Sequence, residues 1–390
     1  MTGPSAQRVA AIQAAAMKAA PAVLAMTARI AAVAAPTGDE GERARFVAAT
    51  LAEAGLPAAI DDLNDVVARL PGRDRDAPPL LVAAHLDTVF VRDTPLPIRC
   101  DGSTLYGPGI GDNSVGIASV LAMPGILRTA GETPAADVLL TGIVGEEGLG
   151  NLRGIRAVLD ANPVVGAVVA VEGHNLGRVT HVAVGSRRYR IEATGPGGHS
   201  WGDWGRPSAL HALARLIHDL DAIPLPRIPK TTLNVGVVEG GISVNSIAPS
   251  ASCLIDLRSV DATSLARLAE RVERVVASHD RGGVTMTATL LGERPAGVVP
   301  LDSPIVRRAA AILAALGIEA SFDASSTDAN VPIGRGVPAI CIGLTTGGNV
   351  HREDEYIDTD PLAAGLTQLA LLTLELTDAL ATGTPLARPS

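Results

Sequence analysis

The sequence predicts an α/β protein with a mostly parallel sheet covered by helices on both faces, interrupted by an inserted α+β sandwich domain. Strand-like and helix-like segments alternate up to about residue 180, a pattern typical of parallel sheets. The order then becomes strand, helix, strand, strand, helix, strand, and the first pattern resumes near residue 297. We therefore expect a discontinuous catalytic domain of residues 1–179 and 297–390, and an inserted domain of residues 180–296.

Composition and charge narrow the class of protein. Of 390 residues, 47% are hydrophobic and 19% are charged, which is typical of a globular protein with a large core. The formal net charge is -9 and the sequence has no Lys/Arg cluster, so nucleic acid is not expected as a partner. The three cysteines lie far apart without a C-x-x-C pair, which argues against disulfides or a thiolate metal site and favours a reducing, cytoplasmic location.

The N-terminal segment is rich in alanine but does not have the pattern of an export signal. It lacks a basic start before an unbroken apolar stretch, and Gln13, Lys18 and Arg29 interrupt it at helical intervals. We expect a helix here. No apolar run reaches the roughly 18 residues of a membrane span, so no membrane association is expected.

The elements of the catalytic domain follow in order. An amphipathic helix is expected over residues 41–56, ending at Gly55 because glycine favours a helix C-terminus. Strands are expected at 65–70, 80–90, 137–147 and 164–173, with a helix at 114–131; after the insertion come a helix at 304–318, a strand at 337–344 and a helix at 362–380.

The inserted domain has a separate set of elements. One long strand is expected over 178–195, followed by a helix at 207–220, strands at 231–241 and 251–259, a helix at 264–279 and a strand at 283–293. This order predicts a sheet with both helices on one face.

Polar residues follow the apolar strand at 80–90. Residues i and i+2 of a strand project to the same face, so His85 and Asp87 are expected to emerge together, and an aspartate beside a histidine is common support for a metal ligand. A buried histidine paired with an aspartate, without a metal, is the alternative.

The segment LYGPGIGDNSVG places three glycines before Asp112. A dinucleotide fingerprint would need glycine at Asp112 or Ser114, so that interpretation fails. Asp112 is either the N-cap of the following helix or a carboxylate turned toward the sheet.

Further acids and a histidine follow other strands. Glu146, Glu147 and Glu172 end two apolar runs, and His351 lies in a glycine-framed loop after a third. Sites in open α/β sheets form at the carboxyl ends of strands, and several carboxylates brought together there need a cation. Imidazole and carboxylate ligands suit zinc, manganese or cobalt, so we expect two divalent metal ions.

These motifs together resemble a known family. His-x-Asp after a strand, Gly-Asp-Asn, Glu-Glu, a later acid and a C-terminal histidine are similar to the clan MH zinc metallopeptidases, which include peptidase T, glutamate carboxypeptidase and aminoacylase. The resemblance extends over nearly the whole chain and implies the zinc-peptidase fold with an inserted lid or dimerisation domain. It implies that two metal ions, most often zinc, are bound by His85, Asp112, Glu147, Glu172 and His351, with Asp112 bridging them.

The same resemblance implies the catalytic roles. Asp87 would orient His85, and Glu146 would be the general base acting on a metal-bridging water. A cis peptide bond is implied after Asp112. In the inserted domain, His199 would stabilise the oxyanion in the neighbouring subunit of a homodimer, and Asn245 and Arg258 would bind a substrate carbonyl or carboxylate.

The inserted domain also contains a competing motif. The sequence GHSWG matches G-x-S-x-G, the nucleophile elbow of serine hydrolases, with Ser200 as the nucleophile. Because glycines and a proline delay the next helix to about residue 207, this alternative is disfavoured. Trp201 and Trp204 either line a substrate pocket or pack in a loop.

The sequence therefore predicts a dinuclear metal-dependent hydrolase that cleaves an amide bond of a small peptide or an N-acyl amino acid. A non-peptide C–N bond, including that of a deaminase substrate, is the alternative. Ser325 and Ser326 replace glycines found in many relatives, so substrate preference is expected to differ. The remaining histidines are expected in surface or core roles: His174, His181, His211, His218 and His279.

Overall fold

The computed structural model describes residues 4–387, which form two compact units. Unit 1 comprises Met1–Ala183 and Val298–Ser390, and unit 2 comprises Val184–Gly297. The sequence placed these boundaries at 179/180 and 296/297, within a few residues of those that the contacts give.

Helices occur in both units. They are α1 (Ala6–Ala31), α2 (Gly41–Glu53), α3 (Val115–Thr129), α4 (Arg153–Ala161), α5 (Ala209–Asp221), α6 (Ala262–His279), α7 (Pro304–Ala315), α8 (Asn330–Gly334) and α9 (Leu362–Ala381). A kinked turn over Ile110–Ser114, in which Asp112 and Asn113 have non-helical backbone angles, precedes α3.

The strands before the insertion are β1 (Ala58–Ile60), β2 (Val66–Leu70), β3 (Leu80–His85), β4 (Arg99–Asp101), β5 (Thr104–Tyr106), β6 (Val138–Ile143), β7 (Ala167–Glu172) and β8 (Arg178–Ala183). Those of the insertion are β9 (Gly185–Thr194), β10 (Gly198–His199), β11 (Thr231–Gly240), β12 (Ser246–Ile247), β13 (Ser250–Ser259) and β14 (Thr285–Arg294). The last strands are β15 (Gly297–Val298), β16 (Ser321–Ser325), β17 (Ala339–Gly343), β18 (Gly347–Gly348) and β19 (Tyr356–Asp358).

The central sheet of unit 1 confirms the predicted fold class. Its order is β1-β2-β6-β3-β7-β17-β8-β15, with β16 paired to β8. The four inner strands β6, β3, β7 and β17 are mutually parallel. Strands β3 and β6 are buried along their whole length, which explains why their sequences are continuous apolar runs and do not alternate. The carboxyl ends of all four strands meet at one edge.

Unit 2 has the predicted order of elements. Its four-stranded sheet runs β11-β13-β9-β14, and α5 and α6 pack on it. Along β9 the buried Tyr189 and Ile191 alternate with the exposed Arg190 and Glu192. This period of two is that of a sheet with only one covered face.

The prediction of one long strand over 178–195 is wrong. The segment forms two strands, β8 in the central sheet of unit 1 and β9 in the sheet of unit 2, separated at Val184. Both pieces have high strand propensity, so composition alone does not mark the point where the chain passes from one sheet to another.

Two helical stretches of the described chain, Ala6–Ala31 and Ile110–Thr129, have the length and apolar composition of a membrane span. The second is 78% buried inside the protein and the first 22%. Core helices meet the same criterion, so it is weak evidence for a membrane.

Candidate metal centre

The predicted ligands lie together at the carboxyl edge of the central sheet. His85 is the last residue of β3 and Glu172 the last of β7, while Glu147 follows β6 by a short turn. His351 lies between β18 and β19, and Asp112 reaches the same place from the kinked turn before α3. The parallel strands thus gather five residues that are up to 266 positions apart, between His85 and His351.

The five side chains form two groups that share Asp112. His85 Nε2 lies 2.9 Å from Asp112 Oδ1 and 3.6 Å from Glu172 Oε2. His351 Nε2 lies 3.1 Å from Asp112 Oδ2 and 3.0 Å from Glu147 Oε1. Each group therefore contains one imidazole and two carboxylates, with one oxygen of Asp112 in each, which is the arrangement of a bridging ligand.

The electrostatics of the cluster fit divalent cations. Hydrogen bonds to the carboxylates of Asp112 and Glu147 raise the pKa of His351 to about 10. Burial opposes ionisation of His85, but Glu172 and Asp112 outweigh it and place the pKa of His85 well above its usual range. Burial likewise opposes ionisation of Asp112, yet the two histidines hold the pKa of this carboxyl well below its usual range. The carboxylates thus attract positive charge at both imidazoles, and the nitrogen and oxygen donors suit two divalent ions.

Asp87 acts through different atoms from those expected. His85 Nδ1 is 3.0 Å from the Asp87 backbone carbonyl and 3.6 Å from its carboxylate. The fully buried carboxylate accepts the backbone N–H groups of Glu146 at 3.0 Å and Glu147 at 2.9 Å, and the hydroxyl of Thr37 at 2.9 Å. The carbonyl therefore orients the histidine, and the side chain holds the turn that carries both glutamates.

The turn after β6 explains how two adjacent glutamates face one site. Gly145 has φ 72°, a left-handed conformation that glycine adopts without strain. The chain leaves the strand there, so Glu146 and Glu147 do not point to opposite faces. Glu147 belongs to the group with His351, whereas Glu146 belongs to neither of the two groups that share Asp112; its carboxylate lies in a further group with His85 and Glu147.

Asp112 is not a helix N-cap. Helix α3 begins at Val115, and Asp112 lies in the preceding kinked turn, in a non-helical conformation, with its side chain toward the two histidines. The Asp112–Asn113 bond is cis, which confirms the expectation. Asn113 Nδ2 donates to the carbonyl of Val171 at 2.6 Å and so ties this turn to strand β7.

The sequence analysis missed two residues beside the centre, Glu355 and His174. Glu355 is completely buried, and its carboxylate accepts backbone N–H groups of Gly109 at 2.8 Å, Gly111 at 3.1 Å and Asp112 at 2.9 Å. His174 Nε2 lies 2.7 Å from the same carboxylate. Position 174 is two residues past Glu172, and this spacing at a strand end is the signal that could have identified His174.

His199 and Asn245 lie together in unit 2. Strands β10 and β12 pair, and the Ser200 amide donates to the Asn245 carbonyl at 2.9 Å. The Nδ1 atom of the exposed His199 accepts the amides of Trp201 at 3.3 Å and Gly202 at 3.2 Å. An accepting Nδ1 places the proton of the neutral ring on Nε2.

The nearby tryptophans are surface residues of this unit. The exposed fractions of Trp201 and Trp204 are 88% and 89%. Neither is packed in its loop.

The other predicted residues of unit 2 have separate surroundings. Arg258 is half-exposed on the sheet face opposite the helices and donates to Asp256 at 2.6 Å. Ser200 follows β10 directly, but α5 does not begin until Ala209. A nucleophile elbow needs a helix immediately after the serine, so this geometry does not support Ser200 as a nucleophile.

The remaining predicted residues have local contacts of their own. His181 is buried and contacts the carbonyl of Val299, and His279 pairs with Asp219, as expected for structural histidines. Ser325 ends β16, and Ser326 follows it.

The fold agrees with the comparisons with known proteins. Residues 81–375 match the peptidase family M20/M25/M40, and the chain belongs to this family. The resemblance inferred from the motifs is thus confirmed.

The chain is also similar to individual curated proteins and solved structures. A "Probable carboxypeptidase" of Aspergillus flavus is 29% identical over 255 residues, covering 59% of this chain and 59% of that protein. The chain spans less than two thirds of the length of the curated relatives that it matches. The solved aminopeptidase PepT of Bacillus cereus has a TM-score of 0.75 at 19% identity, over 92% of this chain and 99% of that one. The dipeptidase Dug1p of Saccharomyces cerevisiae has a TM-score of 0.76 at 14% identity, over 96% and 99%. At these identities the two structures show a shared fold.

Proposed function

We propose that this chain is a metal-dependent amidohydrolase that cleaves an amide bond of a small peptide or an N-acyl amino acid. The observation that carries the proposal is the pair of ligand groups joined by Asp112, with Glu146 beside them and outside both. Membership of a peptidase family supports an amide substrate.

The charges of the centre support two ions. The five candidate ligands contribute three carboxylates, from Asp112, Glu147 and Glu172, and two imidazoles, which are neutral when they bind metal, while Glu146 adds a fourth carboxylate. Two divalent cations would balance these four negative charges, which are costly to bury without them. Zinc is our first choice, with manganese and cobalt as substitutes.

The residues of the chain divide the chemistry between them. The ions, when bound, supply Lewis acidity that lowers the pKa of water and polarises the substrate carbonyl. Glu146 takes a proton from the attacking water and delivers it to the leaving amine nitrogen. Asp87 fixes the backbone of Glu146, so that the base stays beside the centre while the proton moves.

Unit 2 supplies groups for substrate binding in this proposal. His199, with its proton on Nε2, donates to the developing oxyanion in the neighbouring subunit of a homodimer. Asn245 offers an amide to a substrate carbonyl, and Arg258 offers a guanidinium to a carboxylate. We also propose a cytoplasmic location, which is supported by three free cysteines and tested by cell fractionation.

The proposed function is tested by metal analysis and by hydrolysis of a panel of dipeptides and N-acyl amino acids with and without chelator. Glu146→Ala should retain the metal content of the wild type and lose on the order of 10²–10⁴-fold in kcat. Glu53→Ala, which removes an exposed glutamate of α2, is the matched control and should keep full activity. Chelator-insensitive turnover, or an active Glu146→Ala variant, would count against the proposal.

The role of His199 across a dimer is tested by mixing two inactive variants, Glu146→Ala and His199→Ala. If His199 acts in the partner subunit, half of the dimers are mixed and each contains one complete site, so roughly a quarter of wild-type activity should return. If His199 acts within its own subunit, the mixture stays inactive.

A further inference from the structure

The Glu355 carboxylate receives four hydrogen-bond donors, three backbone amides and one imidazole, and one of the amides is that of the candidate ligand Asp112. Its Oε2 atom accepts the Gly109 amide, and its Oε1 atom accepts the amides of Gly111 and Asp112 and faces His174 Nε2. In addition, the Glu355 backbone carbonyl accepts the Gly107 amide at 2.9 Å. One residue therefore binds the chain at four positions of the segment that ends at Asp112.

His174 completes this arrangement from strand β7. Its ring lies so close to Gly111 that a Cβ at that position would overlap the imidazole, which explains the glycine directly before Asp112. Its Nδ1 atom is buried and has no hydrogen-bond partner. A buried lone pair without a donor costs less than a buried N–H without an acceptor, so the neutral ring carries its proton on Nε2 and donates it to Glu355.

We propose that Glu355 and His174 form a clamp that positions Asp112 to bridge the two metal ions. The inference rests on the proposed function, because it assumes that Asp112 is a ligand of both ions. The segment before Asp112 contains three glycines and has little conformational preference of its own, so its conformation must be imposed by partners. The buried Glu355 carboxylate imposes this conformation by accepting three backbone amides of the segment. The His174 imidazole in turn holds the carboxylate in place.

The clamp makes Glu355 a positioning residue and not a ligand. Residues that orient metal ligands typically change metal affinity 10–100-fold when they are replaced. Glu355→Gln keeps the size of the side chain but loses the charge, and its NH₂ group must face at least one of the N–H donors. His174→Phe keeps a ring against Gly111 and removes only the hydrogen bond to Glu355.

The test measures Zn²⁺ affinity by competition with a chromogenic chelator, on protein whose fold is checked by circular dichroism. Glu355→Gln should bind Zn²⁺ about 10–100-fold more weakly than the wild type. The Zn²⁺ affinity of His174→Phe should lie between those of the wild type and Glu355→Gln. Glu353→Gln, two positions away on the exposed surface of the same loop, is the matched control and should bind as the wild type does.

A second measurement separates positioning from a general loss of stability. The visible absorption spectrum of bound Co²⁺ reports the number and symmetry of its ligands, and it should change in Glu355→Gln but not in Glu353→Gln. Wild-type Zn²⁺ affinity and an unchanged Co²⁺ spectrum in both Glu355→Gln and His174→Phe would overturn the clamp alone. A wild-type protein that binds no Zn²⁺ would overturn the proposed function together with the clamp.

Discussion

Asp87→Ala removes the carboxylate that holds the turn carrying Glu146 and Glu147. In the wild type this carboxylate accepts both backbone amides at 3.0 and 2.9 Å and is completely buried. Water cannot easily replace it, so both N–H groups should lose their acceptor. The carbonyl that contacts His85 Nδ1 belongs to the backbone and remains in the variant. The expected effect is therefore a local loosening of the turn, with His85 still oriented.

The size of the effect follows from the two hydrogen bonds. A hydrogen bond to a charged group contributes about 1.5–3 kcal/mol, so two contribute about 3–6 kcal/mol. Since about 1.4 kcal/mol corresponds to tenfold, the two amides should exchange on the order of 10²–10⁴-fold faster. In Asp87→Asn, the NH₂ group must face one of the two N–H donors, so about half of this free energy should be lost.

The measurement is amide hydrogen exchange of the peptide containing residues 146 and 147, by mass spectrometry on protein treated with chelator. Chelator keeps differences in metal binding out of the comparison. Thr37→Val removes the third hydrogen bond of Asp87 but neither backbone bond, and should change exchange by less than about tenfold. Wild-type protection of the two amides in Asp87→Ala would refute the conclusion that the carboxylate holds the turn.

Three further perturbations have expected outcomes. Gly145→Ala should lower the free energy of unfolding, measured in urea, by about 1–2 kcal/mol more than Gly55→Ala does. Both glycines have positive φ, but only at Gly145 would a Cβ overlap the Arg153 side chain. Burial raises the pKa of Asp65 from 3.8 to about 8. The free energy of unfolding of the wild type should therefore fall as the pH rises between these values, by on the order of 2–4 kcal/mol at neutral pH. Asp65→Asn, measured by urea unfolding across that pH range, should lose this dependence; an unchanged pH profile would contradict it. Saturating Zn²⁺ should raise the melting temperature over that in chelator, since a ligand at 1,000 times its Kd stabilises by about 4 kcal/mol, and equal melting temperatures would refute tight binding.

The central sheet and the gathering of the candidate ligands at its edge were predictable because the signals are local. His85 and Glu172 each end an apolar run, and parallel strands bring such ends to one edge. The contact of the Asp87 carboxylate with the turn after β6 was not predictable in the same way. Strand β3 ends at His85, so the alternation of side chains no longer applies at Asp87, and its carboxylate turns toward strand β6.

Other features could not be predicted because they depend on contacts between residues that are distant in the sequence. Glu355 lies in the charged run REDE, where its three neighbours are exposed and nothing local marks the buried one. Its partners lie about 180 and 245 positions away, at His174 and Gly109 to Asp112. The division between β8 and β9 depends on which sheet each strand joins, and strand propensity does not record that choice.

The pairing of β8 with β15 has a consequence for how this chain is assembled. The two places where the chain leaves and re-enters unit 1, after Ala183 and before Val298, belong to adjacent hydrogen-bonded strands. Adjacent strands lie about 4.8 Å apart, a gap that a two-residue hairpin turn closes. Unit 1 therefore has the ends of a β-hairpin at the site of insertion, and the 114 residues of Val184–Gly297 occupy the place of a turn. We expect such a position to tolerate replacement of the whole insert by another domain or by a short linker, since the entropic cost of loop closure increases only slowly with the length of the inserted chain.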